Sequence, residues 1–367
     1  DKVTASKQRI DRLGFFGDVA IETPAVSGTA DQLDVNVNVT EKPTGNLMLG
    51  LGTSSTDKII LSGSIAQNNF MGSGNNVAIQ VNSAKTYRTY VFSYTNPYFT
   101  QDGVSQGFDL YQRTVNTTTT AIAAYSSSSY GGGLRFGFPI GEKESVGLGL
   151  GVDSTTITTY TNSPQYYVDY VKNFGATNLS IPLTLSWASD GKDSYFFPTK
   201  GTFQKASLEV ALPGGDLTYY RASYQLQHFV PLTSRFTLML NGEVGYAEGY
   251  GDSGLPFFKN FYAGGIGSVR GYKASSLGPL SIDTSTGTIY RLGGNSRVIG
   301  NAELLWGIPG MEKSFRMGWF FDAGQVYGND AAQSSSSGLR YSTGLSASWI
   351  SPIGPLKFSF GRPLNKQ

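Results

Sequence analysis

The feature that most limits this chain is a two-residue alternation that recurs from about residue 45 onward. Val146, Leu148, Leu150 and Val152 alternate with Gly147, Gly149, Gly151 and Asp153. Ala206, Leu208, Val210 and Leu212 alternate with Lys205, Ser207, Glu209 and Ala211, and Tyr220, Ala222, Tyr224 and Leu226 with Arg221, Ser223, Gln225 and Gln227. Tyr341, Thr343, Leu345, Ala347 and Trp349 do the same against Ser342, Gly344, Ser346 and Ser348. Successive side chains of a strand point to opposite faces, so each segment has one bulky apolar face and one of glycine, hydroxyl or charge. In a soluble sandwich the apolar face would be the core. Repetition on this scale, without helices between the segments, fits a wet interior and an apolar exterior instead.

The composition agrees with an all-β transmembrane antiparallel β-barrel. Mean hydropathy is only −0.18, and no window approaches the ~18 unbroken apolar residues of a membrane-spanning helix. Strands that alternate apolar and polar residues average to such a mild value. The net charge of +2 gives no electrostatic case for nucleic acid. Cysteine is absent, which excludes disulfides and thiol chemistry. Asp1-Lys2-Val3 begins inside a mature domain, so we expect any targeting segment to have been removed. The lone His228 lies near Pro231, at the turn end of its strand and far from an outer-rim active site, so it reads as an interfacial polar residue. The expectation is a non-enzyme with no catalytic group, cofactor or metal.

Residues 1–43 read differently. Thr4–Leu13 carries helix formers with Ile10 and Leu13 on one face, and Gly14 stops it. A strand follows near Val19–Glu22, then one in which Leu33, Val35, Val37 and Val39 share a face. This looks like the back half of a small α+β domain, joined through Lys42-Pro43-Thr44-Gly45 to a barrel over 44–367.

Within the barrel, short connections rich in proline and glycine (Asn96-Pro97-Tyr98, Phe138-Pro139-Ile140-Gly141, Phe197-Pro198-Thr199, Val230-Pro231-Leu232, Ile308-Pro309-Gly310, Ser351-Pro352-Ile353-Gly354) alternate with long polar ones. The long ones are Thr117–Ser129, Thr161–Thr177, Ala247–Asn295 and Tyr327–Ser337. Short turns at one rim and long loops at the other is the layout of outer-membrane barrels, with the short rim periplasmic. Strands are expected near 46–54, 58–67, 75–85, 88–96, 104–116, 123–138, 145–160, 178–188, 202–212, 217–230, 235–248, 297–307, 314–327, 339–350 and 356–362. That odd number suggests a missing final strand, through truncation or disorder.

The connection 247–296 is far beyond ordinary loop length and contains Phe261-Tyr262-Ala263-Gly264-Gly265-Ile266-Gly267-Ser268-Val269-Arg270-Gly271-Tyr272. Its aromatic content needs a place to be buried, and the lumen is available. It is no nucleotide site, because no helix pattern follows the glycines and no P-loop is present. On the strand 297–307, Val298, Gly300, Ala302, Leu304 and Trp306 take the lipid parity, so Glu303 points inward. On the next strand Phe315, Met317, Trp319 and Phe321 do so, and Asp322 points inward. Arg270 could bridge the two carboxylates, although Glu209, Glu243 and Arg221 share the lumen parity. In a wet lumen such a pair would contribute only ~0–1 kcal/mol.

Several motifs together resemble the BamA family of outer-membrane assembly factors. They are Val269-Arg270-Gly271-Tyr272 in a long late loop, Asn301-Ala302-Glu303-Leu304, Phe320-Phe321-Asp322-Ala323-Gly324, and Ser351-Pro352-Ile353-Gly354-Pro355-Leu356-Lys357-Phe358. Arg12-Leu13-Gly14-Phe15-Phe16 and Glu41-Lys42-Pro43-Thr44-Gly45 resemble the end of that family's last periplasmic POTRA domain. The resemblance implies a sixteen-stranded barrel in the bacterial outer membrane with a periplasmic N-terminal domain. It implies a loop lock in which Val269, Arg270, Gly271 and Tyr272 meet Glu303 and Asp322. It also implies a weak lateral seam along Leu47, Leu49, Gly50, Leu51 and Gly52, through which barrel proteins are folded and inserted. Partners would be unfolded barrel clients, accessory outer-membrane lipoproteins, periplasmic chaperones and the bilayer. The alternative is a POTRA-type secretion or translocation pore. A porin, or a barrel protease or lipase, fits the loop and the single histidine less well.

Overall fold

A computed structural model describes the chain except for residues 1–2, 4–5, 8–9, 11–14, 29–31, 55–57, 119–123, 252–253, 284–286, 312–313, 329–337, 352–353 and 366–367. The helix expected at Thr4–Leu13 and the Pro352-Ile353 turn fall largely outside the described residues. The strands β1 (Phe16–Glu22) and β2 (Asn36–Glu41) form a separate antiparallel ribbon. Its second strand begins later than the alternation from Leu33 suggested, because Leu33 is taken into an isolated bridge with Ala25. Val19 is buried beside Val39, its register partner.

The remainder is one large antiparallel meander. Its strands are β3 (Gly45–Ser54), β4 (Lys58–Gln67), β5 (Asn76–Ser83), β6 (Tyr87–Asn96), β7 (Ser105–Asn116), β8 (Ser126–Pro139) and β9 (Glu144–Thr158). It continues through β10 (Thr177–Ser180), β11 (Pro182–Asp190), β12 (Gly201–Ala211), β13 (Tyr219–Pro231) and β14 (Phe236–Gly249). A small hairpin, β15 (Leu280–Ile282) and β16 (Ile289–Arg291), decorates the long connection. The sheet then closes its described path with β17 (Ser296–Gly307), β18 (Phe315–Tyr327), β19 (Arg340–Ser351) and β20 (Gly354–Pro363). Each sheet strand pairs with its neighbours in chain order, and β14 pairs with β17 across the long connection.

The sequence placed one strand at 178–188, where the structure has two pieces, β10 and β11. Both keep the same register on β9, with Ser180 opposite Asp153 and Leu183 opposite Leu150. The break falls where Pro182 has no N–H to give to the ladder. Counting β10 and β11 as one, fifteen strands follow one another, as the alternation predicted. Among the described residues no pairing joins β3 to β20.

The apolar parity faces outward. Leu47, Leu49, Leu51, Leu150, Val152 and Trp319 are all exposed on that face. The glycine and polar parity faces the long connection. Two details depart from the sequence reading. First, β14 runs to Gly249, shortening the loop assigned to 247–296. Second, the polar stretch 161–177 contains a helix, Gln165–Phe174, flanked by Pro164 and Gly175. Its Tyr167 and Tyr170 pack with Tyr125, Ile157, Phe257, Tyr290 and Leu292 into an aromatic cluster over the long-loop rim. Tyr167 stacks on Phe257 at 3.8 Å. Burial there holds both helix tyrosyl hydroxyls well above their ordinary pKa.

Candidate functional site

The long connection leaves β14, builds the aromatic cluster through Phe257, and turns back into the barrel. Glycines make that turn possible. Gly264 sits at φ 111°, and a Cβ there would lie 2.4 Å from the Lys273 carbonyl oxygen. Only a residue without a side chain tolerates both the angle and the approach. The tip is then closed by Ser268 N–H donating to the Gly265 carbonyl at 3.1 Å and Gly265 N–H to that of Val269 at 3.1 Å.

The tip delivers Arg270 to the wall. Its Nε donates to Asp322 Oδ2 at 2.7 Å and its Nη2 to Oδ1 at 2.7 Å, a two-point clamp. The backbone N–H of Arg270 adds a third bond to Oδ2 at 3.0 Å. Nη1 donates to Glu303 Oε2 at 2.8 Å. The guanidinium also lies 3.6 Å from the centre of the Phe320 ring. Glu303 and Asp322 can share one cation because they are diagonal neighbours on one face: Asn301 faces Asp322, and Glu303 faces Phe320. Ser346, one strand further, donates to Glu303.

The triad is dry, and this corrects the expectation of a weak contact in open water. Arg270, Glu303 and Asp322 are 4%, 3% and 0% exposed. Val269 makes the seal: with Ala263 and Leu277 it packs against Ile299 of β17 and Val326 of β18. Burial alone disfavours the guanidinium charge, but the hydrogen bonds it donates to Asp322 and the field of Glu303 outweigh it and raise the Arg270 pKa above its ordinary value. Removing one member of such a group strands the other charges away from water, at about 3–5 kcal/mol.

Gly271 and Tyr272 carry the contact onward. Gly271, at φ 88°, lies so near β20 that a Cβ would be 3.0 Å from the Gly361 carbonyl carbon. The Tyr272 hydroxyl reaches the Tyr341 carbonyl at 3.1 Å and Asn365 Oδ1 at 3.0 Å. Of the four loop residues expected in the lock, Arg270 alone touches Glu303 and Asp322; Val269 packs beside them, and Gly271 and Tyr272 contact β19, β20 and Asn365 instead. A second hold was not anticipated. Lys259 Nζ contacts Glu209 Oε1 at 2.9 Å. The Phe261 ring is held between Arg221 at 4.0 Å and Arg297 at 5.3 Å, and Arg297 pairs with Glu243. The lumen parity of Glu209, Arg221 and Glu243 was the available signal; the loop residues that answer them had none.

The seam residues lie elsewhere. Leu47, Leu49 and Leu51 point outward from β3, while Gly50 faces Ser62 and Gly52 faces Ile60 on β4. Along β3 the β4 side is fully paired, and among the described residues nothing pairs with the opposite edge.

Known proteins share this architecture. The Omp85 superfamily domain matches residues 69–367. The outer membrane protein assembly factor BamA of Neisseria meningitidis serogroup B is 36% identical over 100% of this chain and 50% of its own length. That of Nitratidesulfovibrio vulgaris is 28% identical over 100% of this chain and 45% of its own. This chain thus spans about half the length of the curated relatives it matches. The crystal structure of BamA from Haemophilus ducreyi lacking POTRA domains 1–3 superposes with a TM-score of 0.90 at 28% identity, covering 100% of this chain and 75% of that one. With the barrel, its inserted loop and the match of most of its length in hand, the chain belongs to the Omp85 superfamily.

Proposed function

We propose that the protein folds and inserts β-barrel proteins into the bacterial outer membrane, as the names of its relatives describe for them. The observations that carry this reading are a loop clamped onto the lumen wall through Arg270 and a first strand whose outer edge has no partner among the described residues. A loop fixed inside the lumen argues against a wide diffusion pore. A free edge offers backbone N–H and C=O groups to a client strand, which adds by β-augmentation. The action is non-enzymatic and uses no cofactor or metal. Residues 1–43 act as the end of a periplasmic POTRA domain, and 44–367 as the membrane barrel. Leu47, Leu49, Gly50, Leu51 and Gly52 form one side of the lateral seam. Accessory outer-membrane lipoproteins, periplasmic chaperones and the bilayer are the partners of this reading.

The test is complementation with the full-length protein in cells depleted of their own assembly factor, following porin insertion by heat-modifiable mobility. The parent should restore insertion, and Arg270→Ala should slow or abolish it. If the purified protein also fails to speed insertion into liposomes, the insertase reading is wrong and a secretion pore takes its place.

A further inference from the structure

The rim where Gly45 enters the sheet also bears the connection between β11 and β12, residues 191–200. This turn is built, not slack. Asp193 accepts the backbone N–H groups of Thr199 at 2.8 Å and Lys200 at 3.2 Å, and the Thr199 hydroxyl at 2.6 Å. These bonds, working against the cost of desolvation, hold its carboxyl below the ordinary carboxylate range. Lys192 lies 4.9 Å from the Phe203 ring at the base. At its far side the turn is caught by a residue distant in sequence. Arg316 of β18 donates from Nη1 to the Pro198 carbonyl at 2.7 Å, with its guanidinium 5.6 Å from the Phe197 ring. Arg316 is 9% exposed, and no ion pair of the described residues includes it.

The geometry of the contact is that of a strap. In sheet order β12 and β18 are four steps apart. At ~6 Å of circumference per tilted strand, a barrel of this size has a radius of ~15 Å and the two strands lie across a chord of ~20 Å. A ten-residue hairpin reaches at most ~17 Å from its base, and the arginine side chain covers the rest. The turn therefore lies over part of the mouth rather than hanging from the rim. Arg316 stands on the same face of β18 as Phe320 and Asp322. One strand thus holds the loop tip at Asp322 and the turn at Arg316, six residues or ~20 Å apart.

We propose that the turn 191–200 is an inner gate of the lumen, latched by Arg316, and that its release opens an aqueous path for small hydrophilic solutes. The inference rests on reading the chain as a membrane barrel, and goes beyond client insertion. Because β18 carries both anchors, a displacement of that strand loosens the clamped loop and the inner gate together.

The experiment is solute efflux from proteoliposomes of the full-length protein loaded with a small anionic fluorophore. Heat-modifiable mobility and carbonate extraction report the folded, integrated fraction. Arg316→Ala should raise efflux at least ~10-fold, about the smallest shift expected from losing one charge-assisted hydrogen bond. Phe197→Ala, which loosens the contact from the turn's side, should raise it by less, and Arg316→Lys should fall between wild type and Arg316→Ala. Folded, integrated Arg316→Ala that leaks at the wild-type rate overturns the gate and leaves the barrel reading intact. If Arg316→Ala does not fold, Phe197→Ala decides, and wild-type efflux from it overturns the gate. Failure of the wild-type protein to integrate at all overturns both.

Discussion

The two halves of the barrel wall are built to the same strand pattern and yet differ in what leans on them. Along β12–β19 the lumen face is covered: Phe261, Val269, Arg270 and Leu277 of the inserted loop press on it, and Ile299, Glu303, Phe320 and Asp322 lose their solvent. Along β3–β6 none of the described residues is buried, and the lumen face of β3 is glycine, Met48 and small polar groups. Strand pairing is common to both halves. Packing is confined to one, so the chain has a stiff wall on the side of β18 and a compliant one that ends at the edge of β3, unpaired among the described residues. Local opening is cheapest where buried contacts are fewest, which places compliance beside the edge that a client would use.

The largest effect should come from the stiff wall. Arg270→Ala leaves two buried carboxylates unpaired and should lower stability by about 3–5 kcal/mol, read as a lower temperature for loss of the folded band. A change within error would mean that water reaches Glu303 and Asp322, and the contrast between halves would collapse. Next comes Gly245→Ala, whose new methyl would meet the Phe261 ring at 2.7 Å. Forcing the ring from between Arg221 and Arg297 should cost about 1–3 kcal/mol, and hydrogen exchange should quicken in the loop while β3–β6 are unaffected. Equal quickening in both halves would show that they are mechanically one body.

On the compliant wall the sign should reverse. Gly50→Ala needs only the Ser62 hydroxyl to turn away, and it should firm the β3–β4 pairing by about 0.5–1 kcal/mol, as replacing a strand glycine does. Stability should rise while client insertion slows; faster insertion would contradict a seam that works by weakness. The smallest effect is Lys259→Ala, which breaks a partly exposed pair with Glu209 and should change stability by about 0–1 kcal/mol, visible only as a salt dependence that the variant lacks.

Much of the wall was legible because a period of two is a strong signal when repeated so often. Parity alone turned Glu303 and Asp322 inward on adjacent strands. What parity lacks is the third dimension. Nothing in the spacing of a loop of some forty-six residues says that Arg270, and not another cation, reaches those carboxylates; the family resemblance supplied that. Dryness was misjudged for the same reason, since it depends on Val269 and Leu277 meeting Ile299 and Val326 across more than twenty residues of chain. The helix Gln165–Phe174 had its markers in Pro164 and Gly175, but ten residues between long loops seldom stand out from a polar stretch. Arg316 was readable by parity as inward, yet its partner is a backbone carbonyl, which carries no residue signature.

Gly271 and Gly361 touch backbone to backbone, with no side chain between loop and strand. At Gly50 a poor fit can be absorbed by turning the Ser62 hydroxyl. Between Gly271 and Gly361 there is no rotamer to turn, and the tolerance of the joint is the thickness of a peptide plane. Any methyl introduced on either side becomes a displacement of β20, the strand at the end of the described sheet. Two hydrogen atoms in place of two side chains thus set how far a loop inside the barrel and the margin of its wall can move independently, which is hardly at all.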